Sequence, residues 1–100
     1  MGTPQFAVPA LKAVAQTHDC VAVYTQPDRP SGRGQEVQAS AVKQKAVELG
    51  LSVFQPRKLT EAGEFDRLKA LNLDVLVVVA YGQILKKEFL ELPRLGCVNV

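Results

Sequence analysis

The sequence predicts an α/β protein built on a Rossmann-like, doubly wound parallel sheet. Short apolar segments rich in β-branched residues alternate with longer segments whose apolar residues recur at helical spacing. The strongest apolar segment, residues 75–79, reads Val-Leu-Val-Val-Val and is apolar on both faces, as a central strand of a parallel sheet is. Regular alternation of helix and strand favours parallel strands covered by helices on both sides.

The first part of the chain is predicted to form a helix, a strand and a loop. Thr3 suits a helix N-cap and Pro4 the first helical position, although Pro9 predicts that the regular helix begins only there. A short apolar strand is expected at residues 20–24. A long loop is expected at residues 25–39, because its prolines and glycines oppose regular structure.

The rest of the chain continues the alternation. Ser40 is a suitable cap for a helix over residues 40–49, and Gly50 suits the left-handed residue that ends it. The later elements are a strand at 51–55, a helix at 61–71, a strand at 74–80, a short helix at 86–90 and a strand at 96–100. The chain opens on a turn-like Met-Gly-Thr-Pro and stops within a strand, so we expect the sheet to be incomplete at both ends.

Composition argues against several classes of protein. The net charge of +2 is too small for a surface that binds nucleic acid everywhere, so a polyanion has to meet a local patch. With one histidine and two cysteines outside any CxxC pair, we expect reduced core thiols and no metal site. The longest apolar run is far below the ~20 residues that span a bilayer, and no signal peptide is recognisable. We expect a cytoplasmic protein without a membrane segment.

Residues 25–34, Thr-Gln-Pro-Asp-Arg-Pro-Ser-Gly-Arg-Gly, form the most informative segment of the chain. Such a segment cannot bury its backbone groups, and long surface loops on a compact scaffold usually carry function. Arg33 stands between Gly32 and Gly34, and with Arg29 it is suited to meet a phosphate or a carboxylate. A solvated loop without a ligand is the alternative.

Two further candidates lie near the carboxyl ends of predicted strands. Asn99 stands between valines, where its amide either ties down a neighbouring loop or donates to an oxygen that becomes negative during acyl transfer. Residues 81–85 leave the central strand, and with Gly82 they form either an apolar ligand slot or an ordinary turn. The chain contains no GxGxxG and no GxxxxGK[ST] motif, which counts against a dinucleotide or P-loop site.

Four motifs occur in order along the chain. They are Gly-Thr-Pro-Gln-Phe-Ala-Val-Pro at 2–9, Gln-Pro-Asp-Arg-Pro-Ser-Gly-Arg-Gly at 26–34, Val-Val-Ala-Tyr-Gly at 78–82 and Pro-Arg-Leu-Gly-Cys-Val-Asn-Val at 93–100. With this combination the chain resembles the amino-terminal part of the methionyl-tRNA formyltransferases. The resemblance implies a formyltransferase fold. It also implies formyl transfer, without a metal, from 10-formyltetrahydrofolate to the amino group of methionyl initiator tRNA.

The resemblance also implies which residues act on the folate. Asn99 matches the family's catalytic asparagine. The wall that binds the pterin ring corresponds to five consecutive residues: Tyr81, Gly82, Gln83, Ile84 and Leu85.

A second set of residues is implied in binding the tRNA. Arg33, with Arg29, Gly32 and Gly34, matches the loop that meets the acceptor arm, and Phe6 helps to shape the pocket for the methionyl side chain. The family usually continues this loop with lysines, whereas this chain has Gln-Glu at 35–36. Fewer phosphate contacts and a shallower salt dependence of binding are therefore expected.

By the same resemblance, residues 1–100 are part of a catalytic domain. We expect a further central strand before the Gly-Thr-Pro turn, and beyond Val100 a histidine, an acidic partner, the rest of the catalytic domain and a carboxyl-terminal tRNA-binding domain. The 100 residues alone are then expected neither to fold stably nor to catalyse transfer, and the full-length protein is expected to be monomeric.

Two other functions stay open. A sugar-nucleotide or glycinamide-ribonucleotide formyltransferase has the same fold and folate donor but formylates another amine. A non-catalytic RNA-binding module would use only the loop that carries Arg33.

Overall fold

Apart from two short strands within the predicted loop, helices and strands follow one another along the chain in the predicted order. The computed structural model describes residues 1–31 and 36–100. A 3₁₀ turn, Gln5–Ala7, precedes four helices: α1 Val8–Thr17, α2 Ala41–Glu48, α3 Glu64–Ala70 and α4 Lys87–Leu90. The strands of the described residues are β1 Val23–Tyr24, β2 Arg29–Ser31, β3 Glu36–Gln38, β4 Val53–Phe54, β5 Leu76–Val78 and β6 Cys97–Asn99.

The boundaries predicted for α2 are confirmed. The Ser40 hydroxyl accepts a hydrogen bond from the Lys43 N–H at 3.0 Å, which satisfies one of the unpaired donors of the first turn. Gly50 follows the helix with φ of +73°, the conformation that ends many helices.

Thr3, in contrast, does not cap the first helix. Pro4 precedes the 3₁₀ turn without a side-chain cap, and α1 begins at Val8 with Pro9 in its first turn. The hydroxyl of Thr3 instead donates to the backbone carbonyl of Tyr81 at 2.6 Å. The predicted cap is wrong because a long-range hydrogen bond takes the hydroxyl that local spacing assigned to the helix.

The predicted loop at residues 25–39 contains two short antiparallel strands. β2 and β3 pair Arg29 with Gln38 and Pro30 with Val37, and they form a two-stranded sheet of their own, which we call the hairpin. The sequence pattern missed these strands because proline and glycine are rare inside strands. Residues 32–35, and with them the predicted Gly32, Arg33 and Gly34, lie outside the described residues.

The first two residues join two pairs of parallel strands. β1 pairs with β4, and β5 pairs with β6, both in parallel. The Gly2 N–H donates to the Tyr24 carbonyl at 3.0 Å, and the Met1 carbonyl accepts from the Val79 N–H at 2.8 Å. Gly2 and Val79 also form a parallel bridge. The order across this layer is therefore β4, β1, Met1 and Gly2, β5, β6.

Side chains of the strands alternate between two apolar cores. Val23 and Val79 pack in one core with residues of α1 and α2, while Tyr24, Leu76 and Val78 pack in the other with residues of α3 and α4. Helices thus cover both faces of a layer of parallel strands, which confirms the predicted α/β class. No helix within residues 1–31 and 36–100 is long and apolar enough to cross a membrane.

A groove of about 550 Å³ lies between β1 and β5, and Met1 lines it. Its lining is predominantly apolar and comes from the strands and from α1 and α3 on the two faces of the layer. The Met1 ammonium donates to the Val77 carbonyl at 2.6 Å. Backbone polar groups point to alternate sides along a strand. The N–H of Val77 and the backbone N–H and carbonyl of Val75 therefore face the groove, as the Val77 carbonyl does.

Candidate functional site

The candidate site is the rim where the parallel strands end. In open α/β sheets, ligands bind in the crevice outside the carboxyl ends of the strands. Three segments that leave these ends contact one another: residues 25–28 after β1, 55–59 after β4 and 80–85 after β5. The 2–4 segment joins them through Thr3, whose hydroxyl donates to Tyr81 and accepts from the Gln26 N–H at 3.4 Å.

Glutamine side chains hold the three rim segments together. The Gln83 amide donates to the Gln26 side-chain oxygen at 3.1 Å, and its own oxygen accepts from the Leu59 N–H at 2.9 Å. Gln55 donates to the Gln26 backbone carbonyl at 3.3 Å. Gln26 is buried, so these bonds replace the hydration that its amide loses on folding.

The turn after β5 brings its backbone against Gln26. Gly82 has φ of +95°, and a Cβ added there would lie 2.8 Å from the Gln26 Nε2 atom. Ala80, two residues earlier, has φ of +47°, a conformation that costs a non-glycine residue about 1 kcal/mol or more. The surroundings of the turn therefore hold Ala80 in a conformation that alanine does not prefer.

The five residues predicted to bind the donor are divided between core and surface. The Tyr81 ring is buried and its hydroxyl has no hydrogen-bond partner among the described residues, and burial raises the pKa of this phenol. Gln83 points inward, where its side chain bonds to Gln26 and Leu59 in the frame of glutamines that joins the three rim segments. Leu85 packs against the edge of the core. Ile84 is 93% exposed, and Gly82 is also exposed.

The backbone of the same turn carries unused donors. Among the described residues, no acceptor receives a hydrogen bond from the backbone N–H of residues 82, 83, 84 or 85. A run of such N–H groups beside the exposed Ile84 side chain offers a planar, polar-edged ring both hydrogen bonds and an apolar surface.

Asn99 lies at the end of β6, next to the end of β5. It pairs with Val78 in parallel register, and the following residue, Val100, donates to the Val78 carbonyl at 3.0 Å. Its side chain is exposed and makes no hydrogen bond with the residues that the structure describes. The alternative role, in which this amide ties down a neighbouring loop, therefore has no contact to support it in these residues.

The base of the hairpin is anchored by Asp28. Its carboxylate accepts from Lys43 of α2 at 3.0 Å and from Gln55 at 2.7 Å. Hydrogen bonds from Lys43 and Gln55 hold the pKa of this carboxyl below its usual value. The anchor fixes where the hairpin leaves the rim, and Arg29, the first residue of β2, is exposed there.

Phe6 lies apart from the apolar cores. It belongs to the 3₁₀ turn that follows Thr3, and its side chain is 70% exposed. No group of three or more histidine, cysteine or carboxylate residues in the described parts of the chain is arranged to hold a metal ion.

Sequence reasoning missed the residues that build the frame. Gln26, Gln55 and Asp28 were not singled out for a role of their own, and Thr3 was assigned to a helix N-terminus. A signal was present, because a glutamine ends one predicted strand and follows two others within three residues. A buried glutamine amide needs partners, so its repeated placement after strands indicates contacts between the loops.

Comparison with known proteins gives consistent matches. The model of the family described as "Formyl transferase" matches residues 1–100. Proteins named methionyl-tRNA formyltransferase are similar to the whole chain: 54% identical in Alkaliphilus metalliredigens, with 100% of the chain aligned, and 57% in Methylococcus capsulatus, with 99% aligned. A third, in Clostridioides difficile, is 50% identical over 100% of the chain. The chain spans about a third of the length of these relatives, 32–33%.

Replacing Gly82 by alanine should disturb the frame more than an alanine at an equivalent open position. Gly96 is the matched control, since its φ of +93° is nearly that of Gly82 but no atom lies within 4 Å of an added Cβ. Gly96→Ala is expected to lose about 1 kcal/mol from the backbone conformation alone. Gly82→Ala is expected to lose about 1 kcal/mol more, the lower end for overpacking, because the methyl group displaces the end of the Gln26 side chain. Urea unfolding of the full-length protein measures both variants, and equal losses would contradict the contact.

Proposed function

The chain belongs to the formyl transferase family, and we propose that it forms part of an enzyme that formylates the amino group of methionyl initiator tRNA. The observation that carries the proposal is the similarity, at 50–57% identity and over the whole chain, to proteins named methionyl-tRNA formyltransferase. A cytoplasmic location goes with this proposal, because initiator tRNA is charged and used in that compartment. The full-length protein is proposed to be monomeric.

The fold proposed for the enzyme is a Rossmann-like doubly wound sheet with one more strand in the groove between β1 and β5. Apolar lining on both faces and the inward backbone groups of Val75 and Val77 support an extended apolar segment there. The bridge of Gly2 to Val79 gives its direction, parallel to β5. An experimental structure of the full-length enzyme with any other element in this groove would refute the proposed strand.

The formyl donor proposed is 10-formyltetrahydrofolate. The pterin ring of a folate is flat and carries donors and acceptors along its edge. The backbone N–H groups of residues 82–85, which have no acceptor among the described residues, and the exposed Ile84 side chain support a site for such a ring. Tyr81 acts there through its backbone, because its ring belongs to the core.

In the proposed reaction, the methionyl amine attacks the formyl carbon. A carbon–nitrogen bond forms, the formyl oxygen becomes negatively charged, and the bond to the folate nitrogen then breaks. The proton that the amine loses passes to the folate nitrogen as it leaves, so charge and atoms balance. Asn99 donates its side-chain N–H to the negative oxygen, and its exposed carboxamide, which bonds to none of the described residues, supports this role.

The proposed tRNA contact is the hairpin that begins at Arg29. Residues 32–34, with Arg33 between two glycines, follow β2 in the chain, and Asp28 holds the base of the hairpin against α2 and the 55–59 segment. Exposed Arg29 supports contact with phosphate. Phe6, exposed in the turn after Thr3, is proposed to contact the methionyl side chain.

Removing the Asn99 amide is expected to slow formyl transfer without weakening the fold. In the full-length enzyme, Asn99→Ala should lower kcat ~100-fold or more, because one donor to the developing oxyanion is lost. Asn72→Gly is the control, since it removes the same amide from the exposed turn before β5, where φ is +51°. Steady-state formylation of methionyl-tRNA measures both variants. A kcat for Asn99→Ala close to that of the control would refute the catalytic assignment.

Removing Arg33 is expected to weaken tRNA binding and leave donor binding unchanged. In the full-length enzyme, Arg33→Ala should raise the KM for methionyl-tRNA about tenfold and make its salt dependence shallower by about one phosphate contact. The control, Arg94→Ala, removes the same charge near Asp74, before β5 begins. A parallel loss of donor binding would point to misfolding and would count against the tRNA role.

A further inference from the structure

We infer that Gln83 is a positioning residue, which holds the donor-binding turn in place and does not contact the donor through its side chain. This inference rests on the proposed formyl transfer at the same rim and names the group that shapes it. It differs from the role expected from the sequence, in which Gln83 itself is part of the pterin wall.

Both the nitrogen and the oxygen of the Gln83 side-chain amide bond to groups of the protein. Its nitrogen lies 3.0 Å from the Pro56 carbonyl, 3.3 Å from the Arg57 carbonyl and 3.1 Å from the Gln26 side-chain oxygen. Its oxygen accepts from the Leu59 N–H at 2.9 Å. An amide nitrogen has two hydrogens, so three acceptors within this range leave none for a ligand.

These bonds link the turn after β5 to the segment after β4. The Pro56 and Arg57 carbonyls and the Leu59 N–H belong to a bend that pairs with no helix or strand of the described residues. Leu59 is buried in the core, so packing fixes one end of the bend, and the Gln83 amide fixes the other through the Pro56 carbonyl. Only a side chain that both donates and accepts hydrogen bonds can satisfy the Pro56 and Arg57 carbonyls together with the Leu59 N–H.

Gln26 ties the same amide to the segment after β1. It is buried, it accepts from Gln83, and its backbone is held by Thr3 and Gln55. Gly82 packs directly on its side chain, so closely that a Cβ at Gly82 would come within 2.8 Å of Nε2. Gln26 and Gln83 therefore act as one unit, which holds the turn whose N–H groups, those of residues 82–85, have no acceptor among the described residues.

Kinetics of the full-length enzyme test this assignment. Gln83→Met keeps the shape of the side chain but cannot donate a hydrogen bond. It should raise the KM for 10-formyltetrahydrofolate about tenfold, the effect of losing one buried hydrogen bond, with a smaller change in kcat and none in the KM for methionyl-tRNA. Gln16→Met, on the exposed face of α1, is the matched control and should match the unaltered enzyme. An unchanged donor KM in Gln83→Met would overturn the inference.

A double-mutant cycle separates positioning from direct contact. If the two glutamines act as a unit, Gln26→Met and Gln83→Met together should raise the donor KM little more than the worse single variant. If Gln83 bound the donor itself, the two effects would multiply, and the inference would be wrong. Gln83→Asn keeps a neutral amide but draws it back from these partners by one methylene group, so it applies the same cycle if the methionine variant does not fold.

Proteolysis provides a readout that does not depend on activity. Trypsin cleaves after Arg57 and Lys58, whose side chains are exposed on the bend that Gln83 holds. Cleavage there should be faster in Gln83→Met than in Gln16→Met, and equal rates would refute the positioning role. If the unaltered enzyme did not formylate methionyl-tRNA, the proposed function would fail, and the cleavage rates would still report whether Gln83 holds the bend.

Discussion

The close approach of Gly2 to its neighbours is the constraint on which the rest of the structure depends. An added Cβ at Gly2 would lie 2.8 Å from the Val79 carbonyl oxygen and 2.9 Å from the Ala7 Cβ, so only glycine fits between the strand layer and the first turn. Through its N–H and that of Val79, the first two residues connect β1 to β5 and make one layer of two strand pairs. The same connection places Thr3 at the rim, where its hydroxyl meets Tyr81.

The rim beyond that connection is a frame made of amides. Parallel strands end side by side, but their loops have no regular backbone partners, so side chains must satisfy the polar groups left over. Gln26, Gln55 and Gln83 do this across three loops, and Asp28 extends the frame to α2. Amides suit the task because each one donates and accepts, and it carries no charge that burial would penalise.

In the proposed site, support and chemistry are assigned to different residues of the rim. The groups that bond to one another, above all the two joined glutamines, face inward. Those available to a substrate are the Asn99 carboxamide, the Ile84 side chain and the backbone N–H groups of residues 82–85. A site of this kind is organised before substrate binds, because the groups that meet the substrate are held by others that do not move with it. The left-handed Ala80 beside them agrees with a turn whose shape is set by its surroundings.

The sequence by itself determined the α/β class, the order of the elements, the Ser40 cap and the central place of the aliphatic run, because these follow from local periodicity and capping chemistry. Its four motifs also identified the family that the comparison with known proteins shows. Only the tertiary structure decided that Thr3 bonds to Tyr81 and not to its own helix, that Gln83 faces inward, and that residues 29–31 pair with residues 36–38. Each of these depends on partners outside the local pattern, and spacing within a short window carries no information about which distant group will be nearest.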